Sequence, residues 1–293
     1  MSSDRLPLRS LLFVPGTRTD WLAKAQAAGA DAAILDLEDA VPPAVKAEAL
    51  RKVAEAVADS TGPMALFVRV NALDGWPAAE ELRAIAHEQL AGVVLPKVSG
   101  PDDVRLADRL LGWCERERGL PPGHIALVPL LETATALREA YEIGRAAERV
   151  AYLGAVTAPG GDVERAVGYR WSPAGTETLG LRSRVLLDVR AAGTPNPVTG
   201  LWTRIADLDG LRSFAEQNRA IGYEGMVAIH PSHVPLINEV FSPGSDELDR
   251  CARLVAAVEA AQASGSGAVR FEGEMVDEAM AATARLLLER HRA

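Results

Sequence analysis

The sequence predicts a closed (β/α)8 barrel. Two observations carry that expectation. Eight short apolar runs alternate with helix-patterned stretches, without an obvious linker between halves, and the first run ends in Pro15-Gly16-Thr17-Arg18. Such alternation favours parallel strands joined by helices. An open doubly wound sheet, the alternative, commonly shows a G-x-G-x-x-G turn after its first strand, and none stands here. Length alone permits one barrel or two small domains, so it is the count of eight strand–helix units that chooses the barrel.

Taken in order, the strands are expected at 10–16, 32–39, 64–71, 92–98, 124–133, 149–155, 197–202 and 224–231. The run at 197–202 is the least strand-like, because Pro195 and Pro197 suit the start of a strand and not its middle. Helical patterns fill 20–28, 44–58, 78–90, 102–117, 134–147, 176–192 and 208–221, with further helices at 234–241 and 246–264. The chain then divides into a barrel, 1–262, and a C-terminal segment, 263–293, that opens on a Gly- and Ser-rich hinge. A barrel closes without this appendage, so the segment reads as a lid, an oligomer contact or a stabilising helix.

Composition removes several function classes. The formal charge is −9 and no run of five basic residues occurs, which argues against nucleic acid as a partner, since that affinity depends on clustered Lys and Arg. Cys114 and Cys251 belong to no metal-type cluster. The apolar run at 11–14 is too short for a signal segment or a membrane span, and the cytoplasm is the expected compartment.

The chemistry should sit where strands end, because barrel enzymes build their sites at the C-terminal face. Strand two ends in Asp36, Glu38 and Asp39, strand three in Arg69 and Asn71, strand four in Lys97, strand five in Glu132 and strand eight in His230; Asp162 follows strand six. A charge on a buried strand is costly unless paired or metal-bound, so this convergence points to a site. Glu132 and Asp162 offer hard oxygen ligands of the kind Mg²⁺ takes; the structural alternative is a carboxylate pair bridged to Arg69 and Lys97. Arg69 suits a carboxylate or a developing oxyanion. Lys97 is also placed for a Schiff base, as in metal-free barrel aldolases. For His230, a local hydrogen-bonding role is expected at least as much as catalysis.

Across these segments the sequence resembles the citrate lyase β-subunit-like branch of the HpcH/HpaI aldolase superfamily. The resemblance rests on residues 9–16 (RSLLFVPG), 31–41 (DAAILDLEDAV), 68–71 (VRVN), 95–97 (LPK), 131–133 (LET) and 222–231 (GYEGMVAIHP), in the family's order. It implies a (β/α)8 barrel, commonly trimeric or hexameric, that acts as a Mg²⁺-dependent carbon–carbon lyase on coenzyme A thioesters. It further implies Glu132 and Asp162 as Mg²⁺ ligands and Arg69 on the keto-acid oxygens. Phe13, Pro15, Gly16, Arg18 and Lys24 fall in the coenzyme A region, and Glu38 and Asp39 act as supporting carboxylates. The Glu38-Asp39 pair stands where the related hydroxyketoacid aldolases carry Glu-His. Residues 273–277 (GEMVD) resemble the lid of stand-alone malyl-, citramalyl- and β-methylmalyl-CoA enzymes, in which an aspartate matching Asp277 reaches a neighbouring subunit's site. The chain departs from the family's pattern in the long 155–162 loop and at Ala136, Ser99 and 197–200, all positions around the acyl pocket. Two alternatives remain open at this level: a metal-dependent aldolase acting without coenzyme A, and a CoA-ester-binding subunit without turnover.

Overall fold

The computed structural model describes residues 7–292; the polar extreme N-terminus, 1–6, lies outside them. Chain contacts define two compact units, Met1–Phe241 and Ser242–Ala293.

The first unit contains eight parallel strands: β1 (Ser10–Pro15), β2 (Ala32–Asp36), β3 (Ala65–Arg69), β4 (Leu90–Leu95), β5 (Ala126–Pro129), β6 (Tyr152–Leu153), β7 (Asn196–Thr199) and β8 (Gly225–Ala228). Their order is β5-β4-β3-β2-β1-β8-β7-β6. The remaining seam, between β5 and β6, is closed by a bridge from Leu127 to Val150. There Leu127 N donates to Arg149 O at 2.8 Å and Ala151 N to Leu127 O at 3.1 Å. The barrel is therefore a ring, as the alternating pattern predicts. Most strands are shorter than expected because residues 37–39, 70–71 and 130–133 leave the ladder to form the mouth.

Strand alternation sorts side chains into two apolar layers. Leu11, Ile34, Phe67, Val94, Val128, Tyr152, Val198 and Val227 fill the lumen, whereas Leu12, Val14, Leu35, Val68, Val93 and Leu127 pack outward against the helices. Phe67 and Tyr152 meet edge to face with centroids 5.5 Å apart. Gly92 makes room for this pair: a Cβ there would lie 2.6 Å from the Phe67 ring.

Three elements differ from the expectation. The helix expected at 134–147 breaks into Ala134–Arg138 and Ala140–Gly144 at Glu139 (φ −96°, ψ 22°), a break that no Gly or Pro announces. β7 begins one residue early and places Pro197 second; its missing N–H is no loss to the ladder, and its carbonyl accepts from Glu224 N at 2.9 Å. The long loop after β6 also contains an unexpected helix, Asp162–Val167, ended by left-handed Gly168 (φ 85°).

The second unit comprises the helix Ser245–Ala263, an antiparallel hairpin of β9 (Ala268–Phe271) and β10 (Glu274–Asp277), and the helix Glu278–Arg292. Leu254, Val258, Val276, Ala281 and Ala284 form its core. Glu272 (φ 48°) and Gly273 (φ 93°) make the two-residue hairpin turn with both residues left-handed, as the twist of the strands demands. The expected hinge connects the first helix to this hairpin inside the unit. No helix among the described residues is long and apolar enough to cross a membrane.

Candidate active site

The centre of the mouth is set by strand register. Alternation that points Ala32 and Ile34 into the lumen also points Asp36, and the same rule on β3 aligns Arg69 with Ala65 and Phe67. Pro15, Asp36 and Arg69 are successive register partners across β1, β2 and β3. Arg69 Nε donates to Asp36 Oδ1 and Nη2 to Oδ2, both at 2.7 Å, a bidentate fork. Its Nη1 lies 3.1 Å from Glu38 Oε2, and the guanidinium stands 4.7 Å over the Phe13 ring. Burial works against the Arg69 charge, but Asp36 and the neighbouring carboxylates outweigh it and raise its pKa.

Lys97 follows β4 in a left-handed conformation, φ 51°, which costs a non-glycine residue about 1–3 kcal/mol. The turn aims two groups at once. Its N–H donates to Glu132 Oε2 at 2.7 Å, while Nζ meets Glu38 Oε1 and, at 3.2 Å, Asp39 Oδ1. The Glu38 bond above all raises the Lys97 pKa and holds the amine protonated. A Schiff-base nucleophile must be neutral, so Lys97 here is a fixed cation. Burial alone would raise Asp39, yet Lys97 brings it below the usual carboxylate range; Glu38 stays above that range, chiefly through burial.

Glu132 behaves differently. Its neighbour Thr133 caps the helix Ala134–Arg138, accepting from Ala136 N at 3.0 Å, and this fixes the chain where Glu132 emerges. The Glu132 carboxyl is pushed up to about 7, first by burial and further by Asp162 and Glu38, against the pull of the Lys97 N–H and Arg69. Among the described residues no cationic side chain lies within ion-pair distance of it. The carboxylate pair bridged to Arg69 and Lys97 is thus not what forms: those cations serve Asp36, Glu38 and Asp39. Asp162 opens the helix Asp162–Val167 and pairs with the exposed Arg165 one turn on.

Two neighbouring oxygen donors, Glu132 without an ion-pair partner among the described residues and Asp162 paired only with the exposed Arg165, suit a hard divalent cation. Among the described residues no group of three or more His, Cys, Asp or Glu side chains is arranged to hold a metal. Mg²⁺ needs no such cage, since it is commonly bound by one or two carboxylates with water and substrate completing the shell.

The residues expected to contact coenzyme A split into two groups. Phe13 faces the lumen beneath Arg69. Gly16 is buried where a Cβ would lie 2.6 Å from the Asp36 carbonyl, so only glycine passes. Pro15 immediately precedes it as the register partner of Asp36. Arg18 and Lys24 share the Trp21 indole at 4.2 and 5.1 Å, and Arg18 also pairs with Asp20 at 2.8 Å. Asp277, in the second unit, is exposed and accepts from Ala279 N at 3.0 Å at the start of the last helix. His230 bonds its own turn, 2.7 Å to Ser232 Oγ, which is the local role. Sequence reasoning passed over Asp36 as the partner of Arg69, and Lys46 and Glu81 altogether. Glu81 had a signal, being a charge in line with Ala78, Leu82 and Ile85 on one helix face.

Comparison with known proteins places this mouth in a family. Residues 9–231 match the family model described as HpcH/HpaI aldolase/citrate lyase. A citrate lyase subunit beta-like protein of Deinococcus radiodurans is 39% identical over 287 residues, covering 96% of each chain. A (3S)-malyl-CoA thioesterase of Cereibacter sphaeroides is 33% identical over 294 residues, covering 98% of this chain and 96% of its own. The structure of the protein CitE from Mycobacterium tuberculosis, in complex with magnesium, acetoacetate and coenzyme A, matches with a TM-score of 0.75 at 28% identity, over 98% of this chain and 99% of that one. The fold and these matches define a carbon–carbon lyase built on a (β/α)8 barrel. Within that class, the chain belongs to the HpcH/HpaI aldolase/citrate lyase family.

Proposed function

We propose that this chain is a Mg²⁺-dependent lyase that cleaves a 3-hydroxyacyl-CoA, such as malyl-, citramalyl- or citryl-CoA, into acetyl-CoA or a short acyl-CoA and a 2-keto acid, or runs the reverse condensation. The observation that carries the reading is Glu132: a half-buried carboxylate at the barrel mouth, beside Asp162 and without a cation partner among the described residues. The magnesium and coenzyme A bound by the M. tuberculosis relative support it.

Glu132 and Asp162 would hold Mg²⁺, which supplies Lewis acidity toward the keto-acid oxygens. Arg69 has five N–H donors; with Nε and one Nη2 hydrogen on Asp36 and Nη1 beside Glu38, two remain for a substrate oxygen whose charge grows in the transition state. As the substrate hydroxyl gives up its proton to solvent and the carbon–carbon bond breaks, the hydroxyl carbon becomes the carbonyl of the keto acid and the acyl-CoA fragment leaves as a thioester enolate. Asp277 protonates the α-carbon of that enolate, or removes its proton in the condensation, from a neighbouring subunit of a homotrimer or hexamer. Glu38 and Asp39 keep Lys97 in place, and Phe13, Pro15, Gly16, Arg18 and Lys24 receive the coenzyme.

The test is release of acetyl-CoA from a panel of malyl, citramalyl, β-methylmalyl and citryl thioesters, with chelator and after Mg²⁺ readdition. Release from one ester that chelation stops and Mg²⁺ restores is expected; none from folded, Mg²⁺-supplied protein would sink the reading. The Cereibacter relative's name favours a second activity, thioester hydrolysis. In the same assay it appears as free thiol without keto acid.

A further inference from the structure

Behind the segment that carries Glu38 and Asp39 lies a polar group that the proposed chemistry does not use. Lys46, at the start of the helix Lys46–Ala58, turns its ammonium back toward β2. There Nζ donates to the carbonyls of Leu37 at 3.1 Å and Glu38 at 3.4 Å, and to Asn71 Oδ1. The Asn71 side-chain nitrogen donates to Leu37 O at 3.2 Å and to Glu81 Oε1, and the Asn71 backbone N–H donates to Glu81 Oε2 at 2.8 Å. Glu81 is 7% exposed, on the apolar face of the helix Trp76–Ile85. Cation and anion are joined through one amide whose two ends are distinguished, oxygen toward Lys46 and nitrogen toward Glu81.

The same segment is held from its other side. Asp36 Oδ1 accepts from Glu38 N at 2.9 Å and Oδ2 from Ala40 N at 3.0 Å. The backbone that presents Glu38 is thus held by its amides through Asp36 and by its carbonyls through Lys46 and Asn71. Glu38 in turn holds the Lys97 ammonium, and the Lys97 N–H holds Glu132. A largely enclosed polar network of this kind rigidifies when every member is satisfied and fails as a unit when one is not.

We infer that Lys46, Asn71 and Glu81 form a positioning relay for the lyase reaction: they set the Glu38–Asp39 segment and, through Lys97, the orientation of Glu132. The inference rests on the lyase reading above for its kinetic consequence, but not for its structural one. Glu81→Gln keeps the shape and sets one N–H₂ group against another. Asn71 can answer only by turning over, which directs its own N–H₂ at the Lys46 ammonium. Adding Asn71→Asp restores an acceptor toward Lys46 and another toward the new amide, while Leu37 O keeps its bond from Lys46.

Two measurements decide it. Hydrogen exchange at the Glu38 and Ala40 amides should quicken in Glu81→Gln and return toward wild type in the double variant. Turnover of the active thioester should fall about 10- to 100-fold in the single variant with KM held, and recover in the double. Asn71→Asp alone, facing Glu81 with a second carboxylate, should stay impaired. If Glu81→Gln does not fold, Lys46→Met is read in the same two ways. Wild-type exchange and kcat in the single variant, or a double variant no better than the single in both, would overturn the relay. A wild-type protein that cleaves no ester defeats the lyase reading instead, and the exchange data then decide the relay alone.

Discussion

Glu132→Gln should stabilise the metal-free protein while abolishing turnover, and the size of the stabilisation should depend on pH. Burial, Asp162 and Glu38 raise the carboxyl from 4.5 to about 7. At about 1.4 kcal/mol per pKa unit, ionising Glu132 in the folded protein costs about 3 kcal/mol relative to the unfolded chain. The sign follows from proton counting. Between pH 4.5 and 7 the folded state binds more protons at this site than the unfolded state, so stability is fully present below the lower value. It is lost as pH rises through the upper one. Glutamine has no such titration, and its carbonyl still accepts the Lys97 N–H. Urea unfolding of both proteins in chelator should give coincident stability near pH 4, with the variant ahead by about 2–3 kcal/mol at pH 8. Mg²⁺ should then raise the wild type by mass action and leave the variant unchanged. Parallel stability curves from pH 4 to 8 would show that Glu132 is neither desolvated nor electrostatically opposed, and the reasoning that gives it a metal would fall.

Two further outcomes test other parts of the structure. Arg149 closes the β5–β6 seam from behind, with Nη1 and Nη2 at 2.6 and 3.0 Å from Glu115 and Nε at 2.6 Å from Asp108; Arg149→Ala should cost about 3–5 kcal/mol in urea unfolding by leaving the buried Glu115 unpaired. Because Arg149 holds Glu115 below the usual carboxylate range despite burial, the wild-type advantage should be complete above the ordinary carboxylate pKa and shrink as pH falls through the lowered one. Gly16→Ala drives a methyl against the Asp36 carbonyl, which backbone movement alone can relieve; it should cost about 1–3 kcal/mol and raise KM for the thioester, and an unchanged KM would separate this turn from coenzyme binding.

What the sequence disclosed and what it hid follow from the range of each interaction. The strands were legible because lumen and outer layers repeat with period two along one segment, and their ends because a charge after four apolar residues is conspicuous. Which carboxylate meets which cation was not legible. Asp36, Glu38 and Asp39 lie within four residues of one another, and their separate duties come from register: Asp36 pairs Arg69 across the β2–β3 ladder, whereas Glu38, past the ladder's end, meets Lys97. The left-handed turn at Lys97 was equally hidden, since no glycine marks it. Glu81 could have been found by asking why a carboxylate interrupts an apolar helix face.

That assignment of charges explains why the mouth suits a divalent ion. Asp36, Glu38, Asp39, Glu132 and Asp162 face three cations, Arg69, Lys97 and Arg165. Each cation is already engaged, two of them by the three strand-two carboxylates and the third by Asp162, so one surplus negative charge stays on strand two and one falls on the Glu132–Asp162 side. Arg165 is 74% exposed and its bond to Asp162 spans only one helical turn, so it costs little to displace. Arg69 and Lys97 are held too firmly to swing across and neutralise Glu132. The relay behind Glu38 keeps them there, and a barrel that spends its fixed cations on β2 leaves Glu132 and Asp162 to a cation from solution.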